Sequence, residues 1–260
     1  MNNNLIILIY IIKCSFLASG QNNIEVKYDY EVQGKTYKAL LVFNKNERQF
    51  VLYNSESRMS QHRLNDDEIV RYLSDIDSDI LGISYKNSNS DYLLFKAYSP
   101  EEKSNVNVID YVPKFNWKIH PDTNKTILGY KCVKASTKFR GSEIVAYFTP
   151  EIPSNFGPWK FYDLPGLILE VIDQTPRNKN IYRAYEINFD TQIKIEKFVK
   201  DETYVSFKKF ITKTEKESKK RVEEHMKKLN AKMPRDVQKR KEWSGRAGFE
   251  KIYEWEEEEK

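Results

Sequence analysis

The sequence predicts a mainly β protein: a curved antiparallel sheet or partly open barrel, with a charged C-terminal helix. Three observations carry this reading. Residues 24–32 alternate strictly, with Ile24, Val26, Tyr28, Tyr30 and Val32 on one side and Glu25, Lys27, Asp29 and Glu31 on the other; that is the period of a strand with one wet face. Tyrosine and phenylalanine, which suit a pleated half-buried surface, number 17 and 14, while glycine and proline number nine each. After Thr214 the period lengthens to that of a helix.

Taken in order, residues 1–20 read as a signal peptide. An apolar stretch over 5–12 is too short to span a bilayer, and Ala18-Ser19-Gly20 offers small residues for cleavage before Gln21. Cys14 invites a lipoprotein reading, but Lys13 before it is a poor fit to the small residue such a site wants. Residues 21–210 form the antiparallel β domain. A turn at Gln33-Gly34-Lys35 joins the first strand to one over 36–43, and Asn44-Lys45-Asn46 leads to a third over 48–53. Residues 55–80 break the rhythm as an insertion, with a helix over 66–73 capped by Asn65 and Glu68. Strands follow over 81–85, 92–97 and 106–112. Residues 115–119 alternate again, and 126–138 pairs with 142–149 through Phe139-Arg140-Gly141.

Next comes TPEIPSNFGPWKFYDLPGLILEVID, residues 149–173, with Pro150, Pro153, Pro158 and Pro165 beside Gly157 and Gly166. Four prolines this close exclude a regular helix or a central strand. Pro165-Gly166 suits a type II turn with positive φ at Gly166. The apolar run Leu167, Ile168, Leu169, Val171, Ile172 then reads as a strand buried on both faces, in which Glu170 needs a partner. The candidate site residues are Trp159, Asp163, Leu164, Pro165, Gly166, Leu167 and Ile168. Two readings compete: a rigid loop presenting Trp159 and Asp163 to a ligand, or a proline-locked corner feeding a core strand. The corner is favoured, because it needs these residues and no ligand.

Beyond it, 181–189 returns with Ile181, Tyr185, Ile187 and Phe189 on one face and Arg183 in need of a carboxylate or solvent. Residues 192–198 and 204–210 are weaker strand candidates. Residues 211–260 form a charged helical appendage: Thr214 and Glu217 make a capping box for a helix to about residue 230 with a thin stripe of Val222, Met226 and Leu229, and 249–255 is a candidate final strand.

The central stretch resembles the GLPGLI family of Bacteroidetes envelope proteins. Asp163-Leu164-Pro165-Gly166-Leu167-Ile168 matches the naming motif with Asp163 in place of the first glycine, and Asp tolerates left-handed backbone better than most residues. Ile152-Pro153, Gly157-Pro158-Trp159-Lys160-Phe161, Trp117, residues 129–135 and Thr149-Pro150-Glu151 fit the same pattern. The resemblance implies an exported protein of the periplasm or cell envelope, or a secreted one, whose biochemical role is unknown; it supplies no catalytic residues.

The search for chemistry narrows the classes. With 43 basic and 38 acidic residues and a net charge of +5, the surface carries both signs rather than a nucleic-acid footprint. His62, His120 and His225 lack metal-ligand spacing, and no phosphate loop, dinucleotide fingerprint or nucleophile elbow occurs. Asp75, Asp77 and Asp79 alternate like a calcium loop but lack its glycine and terminal glutamate. Cys132 reads as a small core residue. No cofactor or metal is expected, no transmembrane span in the mature chain, and no enzymatic activity. The expected role is a binding module for a lipid, a lipoprotein or an extended peptide, loosely like the half-barrel lipoprotein carriers in architecture. The alternatives are an envelope scaffold that pairs with a partner through a sheet edge or the charged helix, and a hydrolase without a recognisable motif.

Overall fold

The structure, a computed structural model, describes residues 23–54, 80–99, 101–175, 180–198, 203–231 and 249–257. The expected signal peptide, nearly all of the 55–80 insertion with its helix, and the segment after the long helix fall outside them.

Twelve strands form one sheet: β1 (Asn23–Val32), β2 (Lys35–Phe43), β3 (Glu47–Asn54), β4 (Ile80–Asn87), β5 (Leu93–Ser99), β6 (Ser104–Asp110), β7 (Lys118–Ile127), β8 (Tyr130–Phe139), β9 (Ser142–Thr149), β10 (Leu167–Asp173), β11 (Asn180–Thr191) and β12 (Val205–Ser206). Their spatial order is β12-β6-β5-β4-β3-β2-β1-β11-β10-β9-β8-β7. Two meanders, β1 to β6 and β7 to β11, therefore lie back to back and join where β1 pairs with β11. Among the described residues the strand pairings are antiparallel except for the short β12–β6 contact.

This order forces curvature. β6 and β7 are consecutive in the chain but stand second and twelfth in the sheet. Flat, they would be about 48 Å apart at ~4.8 Å per strand. The connection over residues 111–117 can reach no more than about 28 Å. The sheet must curl until its two ends approach, as in a partly open barrel, and the aromatic residues of that connection line the mouth: Phe115 stacks on Trp117 and meets Phe139, Phe161 and Tyr162.

The alternation read from sequence sorts the two faces. Val26, Tyr28, Ala39, Leu41, Phe43 and Phe50 point into the inner core with Leu167, Ile168, Leu169 and Val171 of β10. Leu40, Val42, Val51, Tyr53, Ile83 and Leu94 form a second cluster on the outer face. Burial at this density, roughly 25 cal/mol per Å2 of apolar surface, is what holds a two-faced sheet together.

Several expectations are corrected. The strand read over 126–138 is two, because Leu128 and Gly129 adopt left-handed backbone and turn the chain. On β11 the buried apolar residues are Ile181, Tyr182 and Ala184, while Tyr185 and Phe189 are exposed; a bulge opposite Lys27 and Tyr28 shifts the phase by one residue. Residues 192–198 form no strand. They cover the outer face, burying Ile193 and Phe198. Residues 204–210 hold only the two-residue β12, and a helix, α1 (Phe207–Asn230), starts there, about two turns earlier than the capping box implies. Phe207, Phe210 and Ile211 have helical spacing, and all three pack in one cluster. Ser206 caps the helix, accepting from the Lys209 N–H at 3.4 Å. Thr214 lies inside it, its hydroxyl bonded back to the Phe210 carbonyl at 2.8 Å. Residues 249–255 are no strand either. They run as a strap, with the Lys251 and Ile252 N–H groups both donating to the Arg140 carbonyl, into a short helix, α2 (Glu254–Glu257). Their apolar residues serve different partners: Phe249 enters the inner core and Tyr253 joins Phe207.

Candidate functional site

The corner between β9 and β10 folds back over the inner face. The Phe161 N–H closes a tight turn on the Pro158 carbonyl at 3.1 Å, with Trp159 at φ +53°. Phe156 and Tyr162 bridge, and the Asp163 N–H donates to the Asn155 carbonyl at 2.8 Å. The turn at Pro165 differs from the expected type II. The Gly166 N–H bonds the Leu164 carbonyl two residues back, at 2.8 Å, which is a γ-turn. Gly166 has φ +156° as expected in sign, and its neighbours Leu167 and Ile168 donate to the carbonyls of Ile152 and Phe156.

The structure spreads the seven sequence-selected residues rather than gathering them round one cavity. Leu164, Leu167 and Ile168 are core, at 1 %, 0 % and 0 % exposure. Gly166 is buried against the Thr149–Pro150 backbone, and Pro165 and Asp163 face outwards. Trp159 is half-buried among Phe139, Phe161 and Phe249, with ring centroids 5.5 to 6.1 Å away. Trp159→Ala should therefore cost about 3 kcal/mol of stability in urea unfolding, as truncation of a packed aromatic does; an unchanged midpoint would remove the indole from the core. Asp163, at φ +69°, holds the left-handed conformation that glycine adopts without penalty. Asp163→Gly should raise stability by about 0.5–1 kcal/mol, read as a higher melting temperature.

The charged groups under and beside the corner were not singled out from sequence. Asp110, at the end of β6, takes a bidentate pair from Arg140 at 2.8 and 2.9 Å and a third bond from Lys160 Nζ at 2.7 Å. Glu250 of the strap bonds both Lys160, at 2.8 Å, and Arg140, and Glu254 takes Arg140 Nε at 2.9 Å. Arg140 lies 4.7 Å from the Phe207 ring centre and Lys160 Nζ 3.9 Å. Burial opposes ionisation of Asp110, but Lys160 and Arg140 outweigh it and hold the carboxyl below its ordinary value. This cluster ties β6, the β8–β9 turn, the corner and the strap together across the mouth of the sheet. A second group sits under the corner on β3 and β4: Arg48 and Lys86, 1 % and 4 % exposed. One signal was available for both groups. Arg48 shares the phase of Phe50 and Leu52, and Asp110 that of Val106 and Val108, so each puts a charge on an apolar face.

Glu170 and Arg183, each in need of a partner, are cross-strand neighbours 2.8 Å apart, and Lys125 also bonds Glu170. Cys132 is buried, and burial pushes its thiol up to about 11. His120 Nε2 lies 2.8 Å from the Ser136 hydroxyl.

Beside the cluster, a groove of about 480 Å3 is lined by Lys114, Lys138, Phe139, Arg140, Ile252 and Glu254 among others. Among the described residues no helix is long and apolar enough to cross a membrane, and no set of three His, Cys, Asp or Glu could hold a metal ion.

A family model described as a protein of unknown function, Porph_ging, matches residues 139–170, the span from the Arg140 turn through the corner into β10. No curated protein matches the sequence. Among solved structures, PNGF-II is similar with a TM-score of 0.52 at 15 % identity, over 75 % of this chain and 34 % of that one; the chain thus spans about a third of the PNGF-II chain, and the likeness is one of fold. MucB in complex with MucA(peri) reaches a TM-score of 0.37 at 8 % identity over 75 % and 60 %. The LolA superfamily protein NE2245 from Nitrosomonas europaea reaches 0.26 at 8 % over 70 % and 92 %.

Proposed function

We propose that this chain is a non-catalytic binding module, exported to the cell envelope by its first 20 residues, that holds an extended peptide segment of an envelope protein in the groove beside Arg140. The observation that carries this reading is the occupied inner face. The corner residues Phe156, Phe161, Tyr162 and Leu164, with Phe249 of the strap, are buried inside the curled sheet. An acyl chain needs an open apolar trough there, so the filling favours a peptide over a lipid. The groove at the mouth suits a peptide better: Pro113 and Ile252 supply apolar contact, and Lys114, Lys138 and Glu254 supply charges of both signs.

Pairing through the sheet edge is the weaker route to a partner. β7, at the end of the sheet, carries Lys118, Pro121 and Lys125 and a register break between His120 and Asn124, features that blunt an edge.

The test is a peptide array probed with the full mature chain, beside phospholipid vesicles as the competing ligand. The expected result is peptide binding that a Lys114→Glu/Lys138→Glu double variant loses at unchanged melting temperature. Vesicle binding without peptide binding, or a double variant that binds as well as the parent, would sink the reading.

A further inference from the structure

We infer that Arg48 and Lys86 form a buried receptor for a single oxyanion, a carboxylate or phosphate group, beneath the proline corner. The two residues are cross-strand partners in the β3–β4 register, so two cations stand directly opposite each other on the inner face. They are 1 % and 4 % exposed. Like charges so placed repel, and a buried charge without a counter-ion is costly. Elsewhere this chain neutralises its buried charges: Glu170 takes Arg183 and Lys125, and Asp110 takes Arg140 and Lys160. Arg48 and Lys86 make no ion pair among the described residues.

The donors left over have the geometry of an anion site. Arg48 Nη1 donates to the Gly157 carbonyl at 2.8 Å. Its Nε and Nη2 are buried and have no partner among the described residues. These two N–H groups lie parallel along one edge of the planar guanidinium, the edge that grips a carboxylate or phosphate with two bonds. Lys86 Nζ uses one donor on the Ser90 carbonyl at 2.7 Å and lies 4.5 Å from the centre of the Tyr162 ring, leaving donors for a shared anion. Phe156 and Tyr162 are the aromatic walls, with Arg48 5.8 Å from the Phe156 ring centre.

The electrostatics agree. Burial and then Arg48 push the Lys86 ammonium down to about 8, against the weaker pull of Asp163 on the corner and Asp91 on the β4–β5 turn. Burial pushes the Arg48 guanidinium down to about 10, with Tyr162 and Tyr28 opposing. Both cations are charged enough near neutrality to bind an anion, and each is short of one.

The experiment titrates the full mature chain with inorganic phosphate and, separately, acetate, at ionic strength held constant with sodium chloride. Melting temperature and calorimetry are the readouts. The expected result is saturable stabilisation by one of the two, which also decides between phosphate and carboxylate. Lys86→Gln should weaken that binding about tenfold or more, the loss of one charge-assisted bond. In anion-free buffer the same variant should melt higher than the parent, because it removes the repulsion; this arm needs no change at Arg48, whose bond to Gly157 also holds the corner. Titrations indistinguishable from chloride, or equal anion binding by parent and variant, would overturn the inference. So would a crystal structure grown in phosphate with only water on Nε and Nη2.

Discussion

Gly166→Ala is expected to leave no stable folded protein. A Cβ at this position would stand 2.2 Å from the Thr149 carbonyl oxygen and 2.6 Å from its carbon. Those are backbone atoms of a buried strand, so no side chain can rotate away. The φ of +156° adds strain for any L side chain. The collision sits where β10 enters the sheet, since Leu167 pairs with Thr149, so relief would mean unzipping the strand at the centre of the core. A cost above about 4 kcal/mol follows, of the size that only a named steric or packing failure produces. Loss of the cooperative thermal transition is the expected readout; a parent-like melting curve would refute the close approach.

Asp110→Ala is expected to cost about 3–5 kcal/mol, the penalty for breaking a buried ion pair from one side. Arg140 and Lys160 would be left buried with only Glu250 and the half-exposed Glu254 to answer them. Asp110→Asn keeps the shape and should still lose most of that amount. The same carboxylate sets a pH dependence. Its folded-state value lies below the ordinary 3.8, so its contribution is present in full above about pH 4. The contribution is lost as pH falls through the folded-state value. Unfolding in urea followed from pH 6 downwards should show stability dropping in the acid range for the parent, and a shallower drop for Asp110→Asn. Equal slopes would show that Asp110 is not the titrating group.

The two predictions differ in how much of them the sequence held. Pro165-Gly166 announced a turn with positive φ, and a valine there would have been expected to cost about 1–3 kcal/mol from backbone strain alone. That the turn presses against Thr149, seventeen residues earlier in the chain, is a fact of packing and raises the cost. Nothing local announced Asp110 as the centre of a cluster. Its partners Arg140, Lys160 and Glu250 come from the β8–β9 turn, the corner and the strap, and only the curl of the sheet brings them to β6. The helix onset shows the opposite kind of error. Thr214-Glu217 is a sound capping signal, but it lies inside a helix that Phe207, Phe210 and Ile211 extend towards the N-terminus because they have a core to enter. The strap was misread for a related reason: Phe249 and Tyr253 are apolar because they enter two different clusters, not because they share a strand face.

The sequence by itself determined what depends on near neighbours. Period-two alternation assigns faces along β1 to β3, imino acids and glycine make a corner at 150–166, and the apolar run after Gly166, broken by Glu170, reads as a strand covered on both sides. Tertiary structure alone decided which charges meet. The partnership of Glu170 with Arg183, the clamp of Asp110 on Arg140 and the confrontation of Arg48 with Lys86 follow from strand order and curvature. The curvature in turn comes from a short connection that draws the two ends of a twelve-stranded sheet together, a constraint that no window of neighbouring residues contains.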